Sequence, residues 1–561
     1  MHLSNLGKNG NGGKPLDLCA FYLDDGFLAG DIEAVSEALS WLYTFSPQLG
    51  LTLEMSKSEL VVLTENSVSS DLPRHFPPEL LVDEHGESRV QKANFDLLGA
   101  PVGSPEHCAR HTRERVTNSL PLLEALASLS DPQVGLRFLR HCGSFCKLVY
   151  SMRCVPGMAH LDELARFDYH VRAAFSSLTG LRPNESQWEQ ATRGFSFAGL
   201  GLRSTARHAH AAYTASRCQT FSQCCELDTN FSWEGADPQT GLGQGLTVLN
   251  CELPDSHKLD VNSDAPVRQQ TLSEGLDKAD HERFFCNLSL VDKAVVNSET
   301  LTGASDFLEA VPSKEAGLSM APEEFVCELK TRLLMDHYAQ DNWCPACDCI
   351  LDKKGRHPQL CASSGDRTRR HNSTRNRFCP FMEAAHLHPE LEKPGLLMPS
   401  PDQPGADRRR PADVYVPSWQ HGAPAAFDFA ITSPARQDIV VAAAESNGAA
   451  ARAYEQAKRL YLNTADDCQR QGINFIPIVG EPSGGWGPSA MWVFKTVSKA
   501  IANTCGVDAM TVQREHRQAL GILLRQANAR AIFRRDPGAN APLVDPLTSA
   551  AAALDSIDLV D

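Results

Sequence analysis

The eleven residues Ala20–Gly30, AFYLDDGFLAG, place two adjacent aspartates and a glycine between short apolar runs. That arrangement spells a β-hairpin, because Asp and Gly tolerate the backbone angles of a tight turn. The turn needs only one of the aspartates. As a pair, Asp24 and Asp25 suit a hard divalent cation that keeps several waters and binds phosphates; a solvated hairpin tip accounts for them equally well. Outward from the hairpin, strand-like runs (LCAFYLD, ELVVLTE, NFDLLGAPV) alternate with one helical pattern, DIEAVSEALSWLYTFSPQLG, whose apolar residues recur at three and four. The mixture predicts an α+β region up to about residue 105.

The whole chain is 561 residues, too long for one core, and is expected to be multidomain α+β. No unbroken apolar run reaches the roughly eighteen residues of a membrane span, and the polar, Gly-rich start lacks the apolar segment of a secretory signal. An intracellular protein with mostly reduced cysteines is expected, although there are 18 of them. The net charge of −16 argues against a nucleic-acid partner only as a whole-chain average. Lys353–Arg377 carries eight Lys or Arg against the single acid Asp366, Arg408–Arg410 are consecutive, and Arg514–Arg535 holds six Arg against Glu515. Local basic stripes of this kind are the electrostatic footprint of phosphate binding.

Residues 106–219 read as helical. Cys142 and Cys146 lie one turn apart there, beside His141, and are expected to pack as small core thiols. Residues 220–322 are polar and weakly periodic, and read as a variable linker with one helix. A strong helix, PEEFVCELKTRLLMDHY, then opens a Cys/His-rich segment, 323–380. An α/β segment follows at 381–505, then a basic helix and acidic tail at 506–561.

Tyr22-Leu23-Asp24-Asp25, followed by a helix, by LGLTLEMSKSELVVL (Leu49–Leu63) and by FDLLGAPVG (Phe95–Gly103), resembles in order and spacing the later palm motifs of reverse transcriptases. The likeness is to the polymerases of non-LTR retrotransposons. It implies that Asp24 and Asp25 bind the Mg²⁺ ions of nucleotidyl transfer, that Lys57 approaches the incoming triphosphate, and that Leu98 and Gly99 form the primer grip. Residues 1–105 would then be a truncated palm and 106–219 a helical thumb. The family's upstream metal-binding aspartate and its fingers have no counterpart in the residues before the hairpin; Asp17 lies on the hairpin's own strand. The resemblance therefore implies the C-terminal part of a retroelement polyprotein, an RNA-directed DNA polymerase relative unable to polymerise alone. Its implied partners are an RNA template and target DNA, and its implied location is the nucleus.

WCPACDCILDKKGRHPQLC (Trp343–Cys361) offers Cys344-x2-Cys347 and His357-x3-Cys361, a donor set suited to tetrahedral Zn²⁺. Gly355 permits the turn between the pairs, and Cys349 is a spare thiol able to replace Cys347. A closed four-ligand site folds a module rather than catalysing a reaction. The basic run behind it, GDRTRRHNSTRNRF (Gly365–Phe378), puts forward Arg367, Arg369, Arg370 and Arg375 as nucleic-acid contacts.

Past this module, RRRPADVYVPSW (Arg408–Trp419) and AAFDFAITSP (Ala425–Pro434) each set an aspartate, Asp413 and Asp428, in a strand-like run. AYEQAKRLYL (Ala453–Leu462) then presents Glu455 and Lys458 one helical turn apart. Carboxylates on neighbouring strands plus a lysine are what Mg²⁺-assisted phosphodiester hydrolysis requires. The set resembles the PD-(D/E)-x-K restriction-endonuclease fold that follows a Cys/His knuckle in site-specific non-LTR retrotransposons. The match places Lys458 on a helix, because the usual lysine position is Ala430. DNA nicking is the activity this implies. The alternative is a catalytically silent, zinc-dependent nucleic-acid-binding protein.

Overall fold

The computed structural model describes residues 15–63, 71–397 and 409–536. Arg408, the Gly-rich start and the acidic end lie outside the described residues. The structure is mixed α+β with small sheets, and its chain divides into two compact units. The first comprises Met1–Asn118, Leu148–Arg166 and Thr205–Ser273; the second comprises Ser119–Lys147, Phe167–Ser204 and Glu274–Asp561. Among the described residues, no helix is long and apolar enough to cross a membrane.

In the first unit the opening hairpin forms, but its turn is Leu23–Asp24, and Asp25 and Gly26, the pair the sequence puts at the turn, are paired within the second strand. Strand β1 (Leu18–Tyr22) pairs antiparallel with β2 (Asp25–Ala29), closing at Tyr22 opposite Asp25, and Leu23 takes a left-handed turn conformation. Helix α1 (Ile32–Phe45) follows and buries Ala34 and Ala38. Next come a parallel pair, β3 (Val61–Val62) with β4 (Gln91–Lys92), and a second hairpin, β5 (Phe95–Leu97) with β6 (Ala100–Val102). Leu98 and Gly99 make the tight turn of that hairpin, both at positive φ, as a two-residue hairpin loop requires. Each of these sheets has two strands, and no third strand joins β1 and β2 among the described residues. The palm platform expected from the motifs is therefore not assembled. Phe21 and Tyr22 are exposed, so the hairpin lacks the buried face that would recruit further strands. Helix α2 (Thr205–Leu227) buries a stripe of alanines, Ala209, Ala211, Ala212 and Ala215.

Two sequence expectations are corrected here. Cys142 and Cys146 are exposed, not core thiols. They sit in a π-helical turn, Leu139–Gly143, and the short 3-10 turn after it, where the 3.6-residue period is lost. Residues 220–322 are not a linker: they hold helices Gly241–Glu252, Gln269–Cys286, α3 (Leu290–Glu299) and Asp306–Glu309. Polar residues that read as linker are caps. The Thr240 side chain accepts from Gly243 N–H, and that of Ser289 from Asp292 N–H.

The second unit is organised by α4 (Pro322–Arg332), the hairpin β7 (Asn342–Trp343) and β8 (Ile350–Leu351), α5 (His357–Leu360), α6 (Asp366–Ala384) and a four-stranded sheet. The sheet contains β9 (Glu390–Leu391), β10 (Val414–Val416), β11 (Ala425–Ile431) and β12 (Asn474–Gly480) in the order β12-β11-β10-β9. Strands β11 and β12 are parallel, joined by a crossover containing α7 (Ala449–Leu460); the other pairs are antiparallel. Alternation along the strands sends Val414, Val416, Phe427 and Phe429 to one face, against Phe378 and Met382 of α6, Phe494 of α8 (Pro488–Cys505) and Leu520 and Leu524 of α9 (Ala509–Phe533). The other face carries Tyr415, Ala426 and Ala430. Asp413 and Asp428 have the parity of that second face.

Helix α9 is not a solvated basic stripe. Arg525 is fully buried and donates to Glu328 Oε2 at 2.9 Å, Glu299 Oε2 at 2.6 Å and the carbonyls of Ala304 and Ser483. Arg332, also buried, donates to the same Glu299 oxygen at 2.8 Å. Two arginines meet two glutamates, so each buried head group has a partner.

Candidate functional site

The Cys/His motif folds as a knuckle. The β7–β8 hairpin presents Cys344 and Cys347, with Cys344 N–H donating to Cys349 O and Ala346 N–H directed at Cys344 Sγ. Gly355 turns the chain at φ 67°, and Asp352 accepts from the N–H groups of Arg356 and His357, capping α5. That helix delivers His357 and, just past it, Cys361. The four donor atoms lie within 4.8 Å of one another. Cys361 Sγ is 3.7 Å from Cys347 Sγ, and His357 Nε2 is 3.3 Å from Cys347 Sγ. Tetrahedral zinc with bonds of about 2.3 Å to sulfur and 2.0 Å to nitrogen separates its ligands by roughly 3.5–3.8 Å, so the donors fit zinc. Cys349 is exposed and stays outside the four. Arg535 Nη1 donates to Asp366 at 2.8 Å and its Nη2 to Ser364 Oγ at 2.7 Å, and its charge acts on Cys361. With zinc bound, the guanidinium would offset the surplus negative charge of three thiolates around one divalent ion.

The second site lies on the sheet face opposite the phenylalanine core. Val414 pairs with Phe427, so the next step in register sets Asp413 beside Asp428, near enough for the charge of one carboxyl to raise the pKa of the other. Lys458 comes from α7, one turn after Tyr454, which packs on Ala430 and Val479. Its Nζ donates to Asp428 Oδ1 at 2.7 Å. His371 Nε2 lies 3.1 Å from Asp413 Oδ2, and Phe429 N–H donates to the same oxygen at 2.6 Å. Burial pushes the Asp428 carboxyl up to about 6, with Lys458 opposing the rise and Asp413 adding to it. Burial also works against ionised Asp413, but the His371 hydrogen bond and charge outweigh it and hold its pKa below the ordinary value. For Lys458 burial favours the neutral form, yet Asp428 raises the pKa overall.

The structure thus brings together Asp413, Asp428 and Lys458. Glu455 points elsewhere: its carboxylate accepts from Ser489 N–H and Oγ–H, capping the start of α8. Three residues along a helix turn the side chain about 60° away from its neighbour, enough for Lys458 to reach the sheet face while Glu455 reaches the helix end. His371 was not among the residues singled out from sequence, although a signal was present. His371, Arg375, Phe378 and Met382 recur at four, three and four, which is the inward stripe of α6.

That phase also corrects the arginine assignment. Arg370 is buried, donating to Asn528 Oδ1 and Gln359 O, and Arg375 is buried against Glu392 and Asn376. Neither is available to phosphate. Arg367 and Arg369 are exposed. Elsewhere in the stripe, Lys354 and Arg356 pair with Asp292, and Arg534 pairs with Asp366.

Asp24 and Asp25 are exposed at the hairpin tip, and Lys57 is exposed in the turn that follows Glu54. Among the described residues, no hydrogen bond or ion pair joins Lys57 to Asp24 or Asp25. The Leu98–Gly99 turn is held by Tyr150 Oη–H on Leu98 O and Arg115 on Gly99 O. Burial raises the Tyr150 phenol's pKa, with Cys154 adding to the rise and Arg115 opposing it. Among the described residues, Cys344, Cys347, His357 and Cys361 form the one cluster of three or more donors placed to hold a metal. No protein-family model matches this sequence, and no curated protein matches it.

Proposed function

We propose that this chain is a Mg²⁺-dependent DNA-nicking nuclease whose fold is completed by a structural zinc module, and that it derives from a non-LTR retrotransposon polyprotein. The observation that carries the reading is the placing of Asp413 and Asp428 side by side on one sheet face, with Lys458 on Asp428 at 2.7 Å. Two adjoining carboxylates are an oxygen donor set suited to Mg²⁺. A bound ion there supplies an activated water and charge stabilisation at a phosphate. Asp413 and Asp428 hold the ion. Lys458 keeps an ammonium at the reacting face, where it orients water and offsets charge developing on the phosphate. Arg367 and Arg369 offer sequence-independent backbone contacts. In this reading the partners are target DNA and the element's RNA, met in the nucleus. Polymerisation is not assigned to Asp24, Asp25 and Lys57, because the β1–β2 hairpin stands as a two-stranded sheet.

The test is nicking of duplex DNA in Mg²⁺. Asp413→Ala and Asp428→Ala should each abolish cleavage with DNA binding retained; undiminished nicking in both overturns the assignment. Salt-dependent binding with no Mg²⁺-dependent cleavage by the wild type would favour the silent binding protein.

A further inference from the structure

Asp413 is fixed more firmly than a strand-end carboxylate needs to be. Its backbone carbonyl accepts from Glu392 N–H at 3.0 Å, tying it to the chain beside β9. Its Oδ2 lies within hydrogen-bonding distance of two donors, Phe429 N–H and His371 Nε2, one from the sheet and one from α6. A carboxylate whose one oxygen is gripped from two directions cannot rotate about its last bond. Its other oxygen is thereby held in one orientation on the sheet face it shares with Asp428.

His371 itself sits on a helix anchored at both ends. At the start, Asp366 pairs with Arg534 and Arg535 at 2.8 Å each, and Arg535 also donates to Ser364 Oγ at 2.7 Å. Further along, Phe378 lies among Phe427, Phe429 and Phe494, at centroid distances of 5.8, 5.1 and 6.3 Å. The imidazole is thus supported by rigid elements on either side, the arrangement that lets a residue outside the ligand set orient a ligand.

We infer that His371 is a positioning residue that holds the Asp413 carboxylate in the orientation in which it and Asp428 share one divalent cation. The inference rests on the nuclease reading of those two aspartates. Direct substrate contact is not part of the role: His371 acts through Asp413.

The test is Mn²⁺ binding to the full, zinc-loaded chain, followed by electron paramagnetic resonance, with Mg²⁺-dependent nicking measured in parallel. His371→Leu removes the donor and should weaken Mn²⁺ binding about tenfold or more, in the range known for residues that orient metal ligands. His371→Gln restores an N–H near the Nε2 position and should recover most of that loss. DNA affinity without metal should stay unchanged in both. A merely structural role would not separate the two variants in this way. His371→Met, equally without a donor, replaces His371→Leu where the latter does not fold. Mn²⁺ affinity equal to wild type in the donor-less variant overturns the positioning role while leaving the nuclease reading intact, provided Asp413→Ala has lost the site. Equal Mn²⁺ binding by wild type and Asp413→Ala overturns both.

Discussion

Replacing Arg525 by methionine probes how this protein pays for a buried charge. The side chain gives four acceptors their donor: Glu328 Oε2 at 2.9 Å, Glu299 Oε2 at 2.6 Å, Ala304 O at 3.1 Å and Ser483 O at 2.7 Å. Methionine keeps an apolar stem beside Phe307, whose ring lies 4.4 Å from the guanidinium carbon, but leaves all four without that donor. Removing one side of a buried ion pair typically costs about 3–5 kcal/mol. Glu299 retains Arg332 at 2.8 Å, so the uncompensated charge falls on Glu328. Burial already pushes that carboxyl up to about 7 against the pull of Arg525, and without the arginine it rises further. Below pH 7 Glu328 is protonated with or without Arg525, and the loss is mainly one of hydrogen bonds. Above pH 7 the wild type ionises with help from the arginine while the variant cannot, so the destabilisation grows by about 1.4 kcal/mol per pH unit until the variant's own pKa is reached. Urea unfolding at pH 6 and pH 8, followed by fluorescence of the buried Trp419 and Trp486, measures it. A loss below about 1 kcal/mol, or an equal loss at both pH values, refutes the reasoning.

Glu328→Gln should flatten the pH dependence of stability. The folded-state pKa is raised, so the wild-type carboxyl favours folding in acid and that contribution is lost as pH rises from about 4.5 through 7; thermal unfolding across that window is the check. Elemental analysis should return one zinc per chain for the wild type and none for Cys361→Ser, with chelation unfolding the knuckle; zinc retained in the variant would contradict the four-ligand site. Glu455→Ala should cost about 1 kcal/mol through the lost cap of α8 while leaving Mn²⁺ affinity unchanged; a fall in that affinity would return Glu455 to the metal site. Arg367 and Arg369 changed together to Ala should lower the salt slope of DNA binding by about 2, at roughly 0.9 per phosphate contact. Arg370→Met should instead destabilise the fold with the slope unchanged.

Local chemistry and short-range spacing made several features legible in the sequence. The short apolar runs around Asp24–Asp25, the CxxC and HxxxC pairs and the alternation of AAFDFAI each act over fewer than twenty residues, and the hairpin (turning at Leu23–Asp24 rather than at Asp25–Gly26), the knuckle and the aspartate-bearing strand β11 form where they were read. Alternation made the face of each of Asp413 and Asp428 legible on its own strand, but their meeting was decided by the β10–β11 register. What only the tertiary structure decided is which charges are spent internally. Arg370, Arg375 and Arg525 look in the sequence like their exposed neighbours, yet Asn528, Glu392 and the Glu299–Glu328 pair, brought in from far along the chain, consume them. Glu455 and Lys458 likewise parted company only when α8 and β11 arrived on different sides of α7. Periodicity sets which face a side chain occupies; long-range packing sets what waits there, and the free energy of burying a charge depends on the partner it meets.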